Sequence, residues 1–488
     1  MTAEDRTDLS DSSLCDPERY FNDGHFQPAL LAQDMVDDLT IITVTSTKEI
    51  YAWEYGCYVG GSEGENELLS YLKGILGGRL DKISRNHIAE LMNQVRLRSF
   101  RPYEIFDSDL ELLPVKNGVL NTRTGEFDSY SKDKHHFLFQ LPVNYNPAAK
   151  APAFEKFVSE VVYPGDVPIV QELFGYCLWR EGLTSMKKAV MLLGSGDNGK
   201  SLLLSVLVAL LGEKNVKAIT LTDLSENRFA RAWLRGKLAN INPDLPDRAL
   251  KETGGFKGLV GDDVMPYEIK HGGGGEFVNR AKPIFSANKL PDANDDTDAY
   301  YTRWIILNFP YQFVRGEIQS SIEHPAVDKR ILKANMMTPE EMSGILNWAL
   351  VGLKRLQENG RFTNELPSDK MREIYVKLAN SLKAFVIDQC EVTGNPDDFL
   401  SKDDFYVAYA RYCQDKKLMP KTKELVGREL RRCAPGQIGQ GKDTIGKVRP
   451  PTWRGVRLKT QDEQEADEEQ KTTDDFADQP KASDEGVP

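Results

Sequence analysis

The residues best suited to chemistry form one glycine-rich run. It matches the pattern G-x-x-x-x-G-K-[ST] without a break and consists of Gly194, Ser195, Gly196, Asp197, Asn198, Gly199, Lys200 and Ser201. In this pattern backbone N–H groups curve around a β-phosphate, Lys200 neutralises β/γ charge, and the Ser201 hydroxyl ligates Mg²⁺. The alternative is a chance glycine-rich turn. Because an apolar strand (189–193) precedes the run and an apolar helix (202–211) follows it, we predict a loop that binds ATP and Mg²⁺.

Hydrolysis of ATP also needs a carboxylate at the end of a neighbouring strand, where it holds the magnesium and its waters. Asp244 follows the apolar-leaning segment 237–243 and is the predicted catalytic acid and metal ligand, with Asp247 as the fallback. The alternative is that Asp244 only caps the loop rich in Pro and Asp that it begins.

Two further polar residues flank apolar strands downstream. Asn288 ends the segment 281–288, where its amide could orient the attacking water, although Asn is also an ordinary turn residue. Arg303 stands at the start of another apolar strand, either as a surface charge or as a finger that reaches the phosphates of a neighbouring subunit. With Lys200 and Asp244, these two residues form the predicted catalytic set.

The elements that must position these residues divide the chain into five parts. Residues 1–24 and 461–488 are polar and acidic, and we predict that both are disordered. Residues 25–150 mix helical stretches with short strands, and 151–370 alternate apolar strands with helices in the manner of an α/β domain with helical flanks. Residues 371–460 form a basic module. The predicted fold class is therefore α/β.

Composition limits the possible functions. The chain has 488 residues and a formal net charge of −12, but residues 401–460 carry 15 bases against 6 acids, so an anionic partner is not excluded. Its six cysteines are scattered, which argues against zinc or disulfide use. No apolar stretch approaches the roughly 20 residues that a membrane helix needs, and we expect a cytoplasmic protein without membrane contact.

The order of the motifs resembles that of the superfamily 3 helicases, and more closely the phage and plasmid primase-helicase branch related to the poxvirus primase-helicase. That order is a P-loop, an acidic strand end, a β-hairpin, a strand ending in Asn and an Arg finger. The matching positions are Gly194 to Ser201, Asp244, Met265 to Arg280, Asn288 and Arg303. The resemblance extends upstream through 113–120 and 141–145 and covers roughly residues 30 to 455.

This resemblance implies an AAA+-like P-loop NTPase core with a preceding mixed α/β domain. It also implies an ATP-dependent, ring-forming DNA helicase, a hexamer of identical subunits, that acts on single-stranded and forked DNA. Its setting would be replication of a virus, plasmid or integrated mobile element, in the host cytoplasm if viral. Only about 25 residues precede the recognisable part, too few for a primase domain, so a separate primase or other replication protein is an expected partner.

In this superfamily a hairpin tracks single-stranded DNA through the pore of the ring, and viral members place a Lys-His pair at its tip. Lys270-His271 stands at the corresponding place here, followed by four glycines. The alternative is a flexible glycine loop with an incidental basic pair. The sequence departs from many members at the acidic strand end, where Asn242 and Pro243 precede a single acid.

The basic module has the pattern of a winged-helix-like fold. An amphipathic helix (400–413), a second helix (422–432) and a possible wing (442–459) follow one another, and Arg431, Arg432 and Arg454 are the predicted DNA contacts. The alternative is a basic helical bundle that contacts another protein. For the whole chain, the alternative function is a P-loop DNA-binding ATPase, an initiator or remodeller, that does not unwind. A small-molecule kinase would leave Asn288, Arg303 and the basic module unexplained.

Overall fold

The structure is a computed structural model that describes residues 16–194, 196–243, 245, 253–268, 274–291, 297–311, 313, 329–415, 420–445, 448–460 and 462–463. These residues form two compact units. The first holds the described residues of Met1–Pro246, Lys251–Asn288 and Arg303–Glu365, and the second holds those of Lys289–Thr302 and Leu366–Pro488.

The N-terminal part of the first unit combines three helices with small sheets. Its elements are β1 (Phe21–Asn22), β2 (His25–Phe26), α1 (Pro28–Leu39), β3 (Ile42–Val44), β4 (Ile50–Glu54), β5 (Cys57–Gly60), α2 (Gly61–Leu76), α3 (Arg85–Ser99), β6 (Phe100–Arg101), β7 (Leu112–Val115), β8 (Gly118–Asn121) and β9 (Phe127–Asp128). One sheet has the order β5-β4-β3-β6 and another the order β7-β8-β9. The Asn-Gly pair at 117–118 forms the turn of the hairpin between β7 and β8, as such a pair between apolar flanks indicates.

The prediction that residues 1–24 are disordered is wrong for residues 16–24. Asp16 caps a short 3-10 helix, Pro17–Tyr20, and β1 pairs with β2 just after it. Tyr20 is fully buried in the core formed by α1, α2 and α3, and its hydroxyl donates to Asp34. The acidic composition suggested disorder, but burial of one aromatic ring fixes this segment to the domain.

The rest of the first unit is built around a parallel sheet. In chain order, and including one short helix of the second unit (α11), the elements are α4 (Pro152–Val161), α5 (Val167–Leu178), α6 (Gly182–Met186), β10 (Ala189–Leu193), α7 (Lys200–Leu211), β11 (Val216–Lys217), α8 (Leu221–Glu226), α9 (Arg228–Ala232), β12 (Ala239–Asn242), α10 (Gly254–Val260), β13 (Val264–Glu268), β14 (Gly274–Val278), β15 (Lys282–Ala287), α11 (Asp298–Tyr301), β16 (Trp304–Asn308), α12 (Lys329–Met336) and α13 (Pro339–Asn359).

Five of these strands form one sheet with the order β11-β12-β15-β10-β16, and every neighbouring pair is parallel. All five residues of β10 are buried, as expected for a central strand covered on both faces, and α7 buries an almost continuously apolar sequence behind it. The predicted α/β class with a P-loop NTPase-like core is confirmed. Outside this sheet, β13 and β14 pair as an antiparallel hairpin, also as predicted.

The second unit holds the basic module. Its remaining elements are α14 (Ser368–Ala379), α15 (Ser381–Gln389), β17 (Cys390–Val392), β18 (Phe399–Ser401), α16 (Lys402–Asp415), α17 (Lys423–Cys433), β19 (Gly439–Lys442), β20 (Pro451–Arg454) and β21 (Val456–Leu458). Helices α15, α16 and α17 pack with a three-stranded sheet of order β18-β20-β19, the arrangement expected of a winged helix. Within the described ranges, no helix is both long and apolar enough to cross a membrane.

Candidate nucleotide-binding site

The glycine-rich run forms a tight loop between β10 and α7. Gly194 begins the loop, and its N–H donates to the carbonyl of Ala287 on β15 (3.2 Å). Gly199 ends it with φ +93°, and a Cβ there would lie 2.7 Å from Cγ1 of Val161. A side chain at Gly199 would therefore be both strained and crowded, which explains why glycine is the residue that precedes α7.

Lys200 lies across this loop. Its side chain is 6% exposed, and its ammonium donates to the carbonyl of Gly194 and to Oδ1 of Asn198 (3.2 Å). Burial lowers the pKa of Lys200 to about 8. An anion bound in the loop would favour the charged form and recover part of this desolvation cost. The loop and the buried ammonium thus have the geometry expected of a phosphate-binding cradle.

Asn198 ties the loop to the neighbouring strand. Its Nδ2 donates to the carbonyl of Phe309, just after β16 (3.4 Å), and its Oδ1 accepts from the backbone N–H of Lys200 (3.4 Å). Ser201 follows in the first turn of α7 and is exposed, so its hydroxyl is open to a ligand. Of the predicted nucleotide-binding residues, Gly194, Gly196, Asp197, Asn198, Gly199, Lys200 and Ser201 are described, and Ser195 lies outside the described residues.

Parallel pairing brings the ends of three strands to one edge of the sheet. Leu193 pairs with Ala287, so the loop and the exposed Asn288 follow adjacent strand ends. Asn242, the last residue of β12, pairs with Phe285 on the other side of β15. Asp244 and Asp247 lie outside the described residues. Within those residues no cluster of His, Cys, Asp and Glu could hold a metal, and Mg²⁺ binding by Ser201 and Asp244 remains a prediction.

Arg303 lies at the opposite edge of the same sheet. Its carbonyl accepts from the N–H of Ala189 (2.7 Å), the first residue of β10, whereas the phosphate loop follows the last residue of that strand. Five residues of strand span about 16 Å, which is further than an arginine side chain reaches. Nearby, a hydrogen bond from Lys187 holds the pKa of Asp262 below its ordinary value, and the charge of Arg303 contributes in the same direction. The structure does not bring Arg303 to the loop of its own chain.

The predicted DNA contacts are placed unequally. Arg431 and Arg432 are exposed in the last turn of α17. Arg454 instead makes two hydrogen bonds to the carboxylate of Asp443 (2.9 and 2.6 Å), which also accepts from Thr452. Arg454 therefore braces the base of the wing between β19 and β20. Lys270 and His271, the predicted hairpin tip, lie outside the described residues.

Sequence reasoning missed the residue that holds the base of the hairpin. The guanidinium of Arg235 lies over two rings, that of Tyr267 on β13 (4.6 Å to the centroid) and that of Tyr103 in the N-terminal part (5.0 Å). The available signal was the spacing of three arginines in 228–237 without an acid among them. That pattern did not identify the aromatic partners, Tyr103 and Tyr267, which are distant from Arg235 in the sequence.

Comparison with known proteins gives two family matches. Residues 33–162 match a family described as "D5 N terminal like", and residues 192–303 match DUF5906, a family of unknown function. The second match runs from the end of β10 to Arg303, so it spans the loop, Asn288 and Arg303 as a unit.

Individual proteins are also similar to this chain. It is 22% identical over 337 residues to "Putative helicase 121R" of Invertebrate iridescent virus 3, covering 63% of this chain and 35% of that protein. The chain therefore spans about a third of the length of that relative. Two apo structures of the NrS-1 C-terminal region cover 88% of the chain with TM-scores of 0.48 and 0.46, at 13% and 12% identity, and themselves align over 99% and 100% of their length. The D5 match and the viral relative support the resemblance to phage and viral primase-helicases.

Proposed function

We propose that this chain is an ATP-dependent, ring-forming DNA helicase of superfamily 3 that acts in replication of a virus, plasmid or integrated element. One observation carries the proposal. The phosphate loop and Asn288 lie at the carboxyl edge of the sheet, whereas Arg303 lies at its amino edge. A site divided in this way is complete only when a neighbouring subunit supplies its arginine, as in a closed ring of identical chains.

Each residue then has a distinct role in ATP hydrolysis. The backbone from Gly194 to Gly199 and the ammonium of Lys200 hold the β- and γ-phosphates. Ser201 and Asp244 would hold Mg²⁺, which neutralises phosphate charge. Asn288 orients the attacking water, and Arg303 of the neighbouring subunit stabilises charge in the transition state. The chemistry is positioning and electrostatics, for which a loop anchored on a buried strand is well suited.

Hydrolysis would be coupled to DNA at two places. Lys270 and His271, which lie between β13 and β14 in the sequence, would contact a single strand in the pore, where lysine makes a salt-dependent phosphate contact. The winged helix presents Arg431 and Arg432 to duplex or forked DNA. Single-stranded DNA, forked DNA, further copies of the chain and a separate primase are the proposed partners. The iridescent virus relative, named a putative helicase, supports this assignment.

The decisive experiment measures ATP turnover, with and without single-stranded DNA, and single-turnover unwinding of a forked duplex. Lys200→Ala is expected to lower turnover by about a hundredfold or more, because it removes the cation from the phosphate loop. Lys270→Ala is expected to keep basal turnover and to lose both DNA stimulation and unwinding.

Equal loss of basal turnover in both variants contradicts this division of roles. DNA-stimulated turnover without unwinding of any fork would favour the alternative, a DNA-binding ATPase that acts as an initiator or remodeller.

A further inference from the structure

Two aromatic side chains are exposed beside the hairpin. Trp233 is 63% exposed and Phe229 is 42% exposed. Phe229 lies within α9, and Trp233 is its helical C-cap residue four positions later, so both rings are on one face. All six tryptophans lie in the described residues, and Trp233 alone among them is exposed. We call Phe229 and Trp233 the aromatic platform.

The surroundings of the aromatic platform are cationic. The segment 228–237 contains three arginines, one lysine and no acid. The ammonium of Lys217, on the edge strand β11, lies 5.2 Å from the centroid of Trp233, and the guanidinium of Arg228 lies 5.7 Å from that of Phe229. Burial and then the charge of Lys217 lower the pKa of Lys237. Like charges are thus crowded next to exposed rings.

The platform is fixed beside the base of the hairpin. Nε of Arg228 forms an ion pair with Glu268 (3.0 Å), the last described residue of β13, and Arg235 lies over the ring of Tyr267 on the same strand. That ring in turn lies against Gly275 on β14, where a Cβ would come within 3.1 Å of it. A nucleic-acid strand that runs along the hairpin would therefore lie near Phe229 and Trp233.

We infer that Phe229 and Trp233 form a base-stacking site for single-stranded nucleic acid, with Lys217 contacting the adjacent phosphate. The inference deepens the proposed function and rests on it, and it adds a contact separate from Lys270-His271 and from the winged helix. Every base has a π-face, so stacking tolerates any sequence, as a motor that moves along DNA requires. Cations beside the rings supply the sequence-independent attraction to the backbone.

A second copy of the chain is the competing occupant, because exposed rings also occur at subunit interfaces. The charge pattern favours nucleic acid. The segment 228–237 has four cationic side chains and no acid. Although Arg228 is paired with Glu268, the local charge is still positive and matches a polyanion.

The test measures binding of a fluorescein-labelled oligothymidylate to the full chain by anisotropy, without ATP. Trp233→Ala is expected to weaken binding about fivefold to a hundredfold, the usual loss when a stacking ring is removed. Trp233→Phe should retain most of the affinity, but the quenching of intrinsic fluorescence by unlabelled oligothymidylate should largely disappear. Leu97→Ala removes an equally exposed side chain (66%) from α3 and should change neither quantity.

Lys217→Ala provides an independent readout. It should reduce the slope of log affinity against log salt by about one, as loss of one phosphate contact predicts. Unchanged affinity in Trp233→Ala overturns the inference. If that variant instead alters self-association in sedimentation while its affinity is unchanged, the aromatic platform is a subunit interface.

The two proposals fail separately. A wild-type chain that unwinds forks, together with a Trp233→Ala variant that binds and unwinds normally, disproves only the stacking site. A chain that cannot unwind but whose oligothymidylate affinity depends on Trp233 disproves only the helicase. A wild-type chain that does not bind oligothymidylate disproves both.

Discussion

The carboxyl and amino edges of the parallel sheet, where its strands end and begin, differ in the groups that they present. At the carboxyl edge, backbone N–H groups and the buried Lys200 form a cradle whose shape depends on the close approach of Gly199 to Val161. The amino edge has no such loop in the described residues and instead presents charged side chains, among them Arg303, Lys187 and Asp262. In the proposed function, the carboxyl edge binds phosphate and the amino edge supplies Arg303 to a neighbouring subunit.

The amino edge also joins the sheet to the N-terminal part of the chain. Arg180, 8% exposed at its side chain, forms an ion pair with Asp107 (3.5 Å) and lies over the ring of Phe139 (4.6 Å). Asp107 is buried, and desolvation raises its pKa although Arg180 opposes the shift. These contacts are internal and structural. Of the charged groups named at this edge, Lys187 and Asp262 are the most exposed, and Arg303 is partly buried.

The largest effect is expected from Arg303→Ala. If the arginine acts on the neighbour's nucleotide, its removal should lower turnover by about a thousandfold or more, the range found for arginine fingers. ATP binding by the variant's own loop should be nearly unchanged. A sharper measurement mixes the Arg303→Ala and Lys200→Ala variants and follows ATP turnover against the mixing ratio. An interface is active where the intact loop of an Arg303→Ala subunit meets the intact arginine of a Lys200→Ala subunit. Turnover should be greatest near equal amounts.

Either variant alone is the control, since neither can form an intact interface. No recovery in the mixture, with both variants assembling like the wild type, would show that Arg303 does not act between subunits. The comparison of the two edges would then describe packing only.

Sequence patterns were sufficient where the information is local. The strand before the loop and the second helix of the basic module lie where the apolar pattern predicted them, and the hairpin within 265–280 lies where the family resemblance predicted it. The N-cap Thr422, which accepts from Leu425, is an example of a local signal that sets a helix start.

Contacts between residues distant in the sequence could not be predicted from these local patterns. The placement of β15 between β10 and β12, which sets Asn288 beside the phosphate loop, depends on hydrogen bonds between residues about 90 positions apart. The ion pair of Arg454 with Asp443 joins residues on two segments of the wing, and the density of basic residues in the sequence did not predict it. Tyr20 and Arg235 were likewise misjudged or missed because their partners are distant in the sequence.

A smaller effect tests the carboxyl edge. Asn288→Ala should lower kcat for ATP by about a hundredfold while KM changes little, because the amide is assigned to the attacking water and not to nucleotide binding. Lys289→Ala, a change of the next exposed residue, is the control and should leave both constants unchanged. A higher KM with normal kcat would mean that Asn288 contacts the nucleotide, or shapes the loop, and has no role with water.

The smallest effect concerns stability at the amino edge. Lys282 begins β15 and is fully buried. Within the described residues its ammonium makes no hydrogen bond, although it lies 5.8 Å from the ring centroid of Tyr176. Burial lowers its pKa from 10.5 to about 7. Between those values the unfolded chain binds one more proton than the folded chain, so this group makes stability rise with pH, and below about pH 7 its contribution is constant.

Lys282→Met should therefore raise the melting temperature near pH 7 by a few degrees and flatten its dependence on pH between 7 and 9.5. The matched control is Lys188→Met, because the Lys188 ammonium is paired with Glu365 (2.6 Å) and its loss should destabilise. A lower melting temperature for Lys282→Met, with the pH slope intact, would mean that Lys282 is charged and paired in the folded chain. The amino edge would then hold a second charged side chain beside Arg303. The two edges would differ more in charge than they do if Lys282 is neutral.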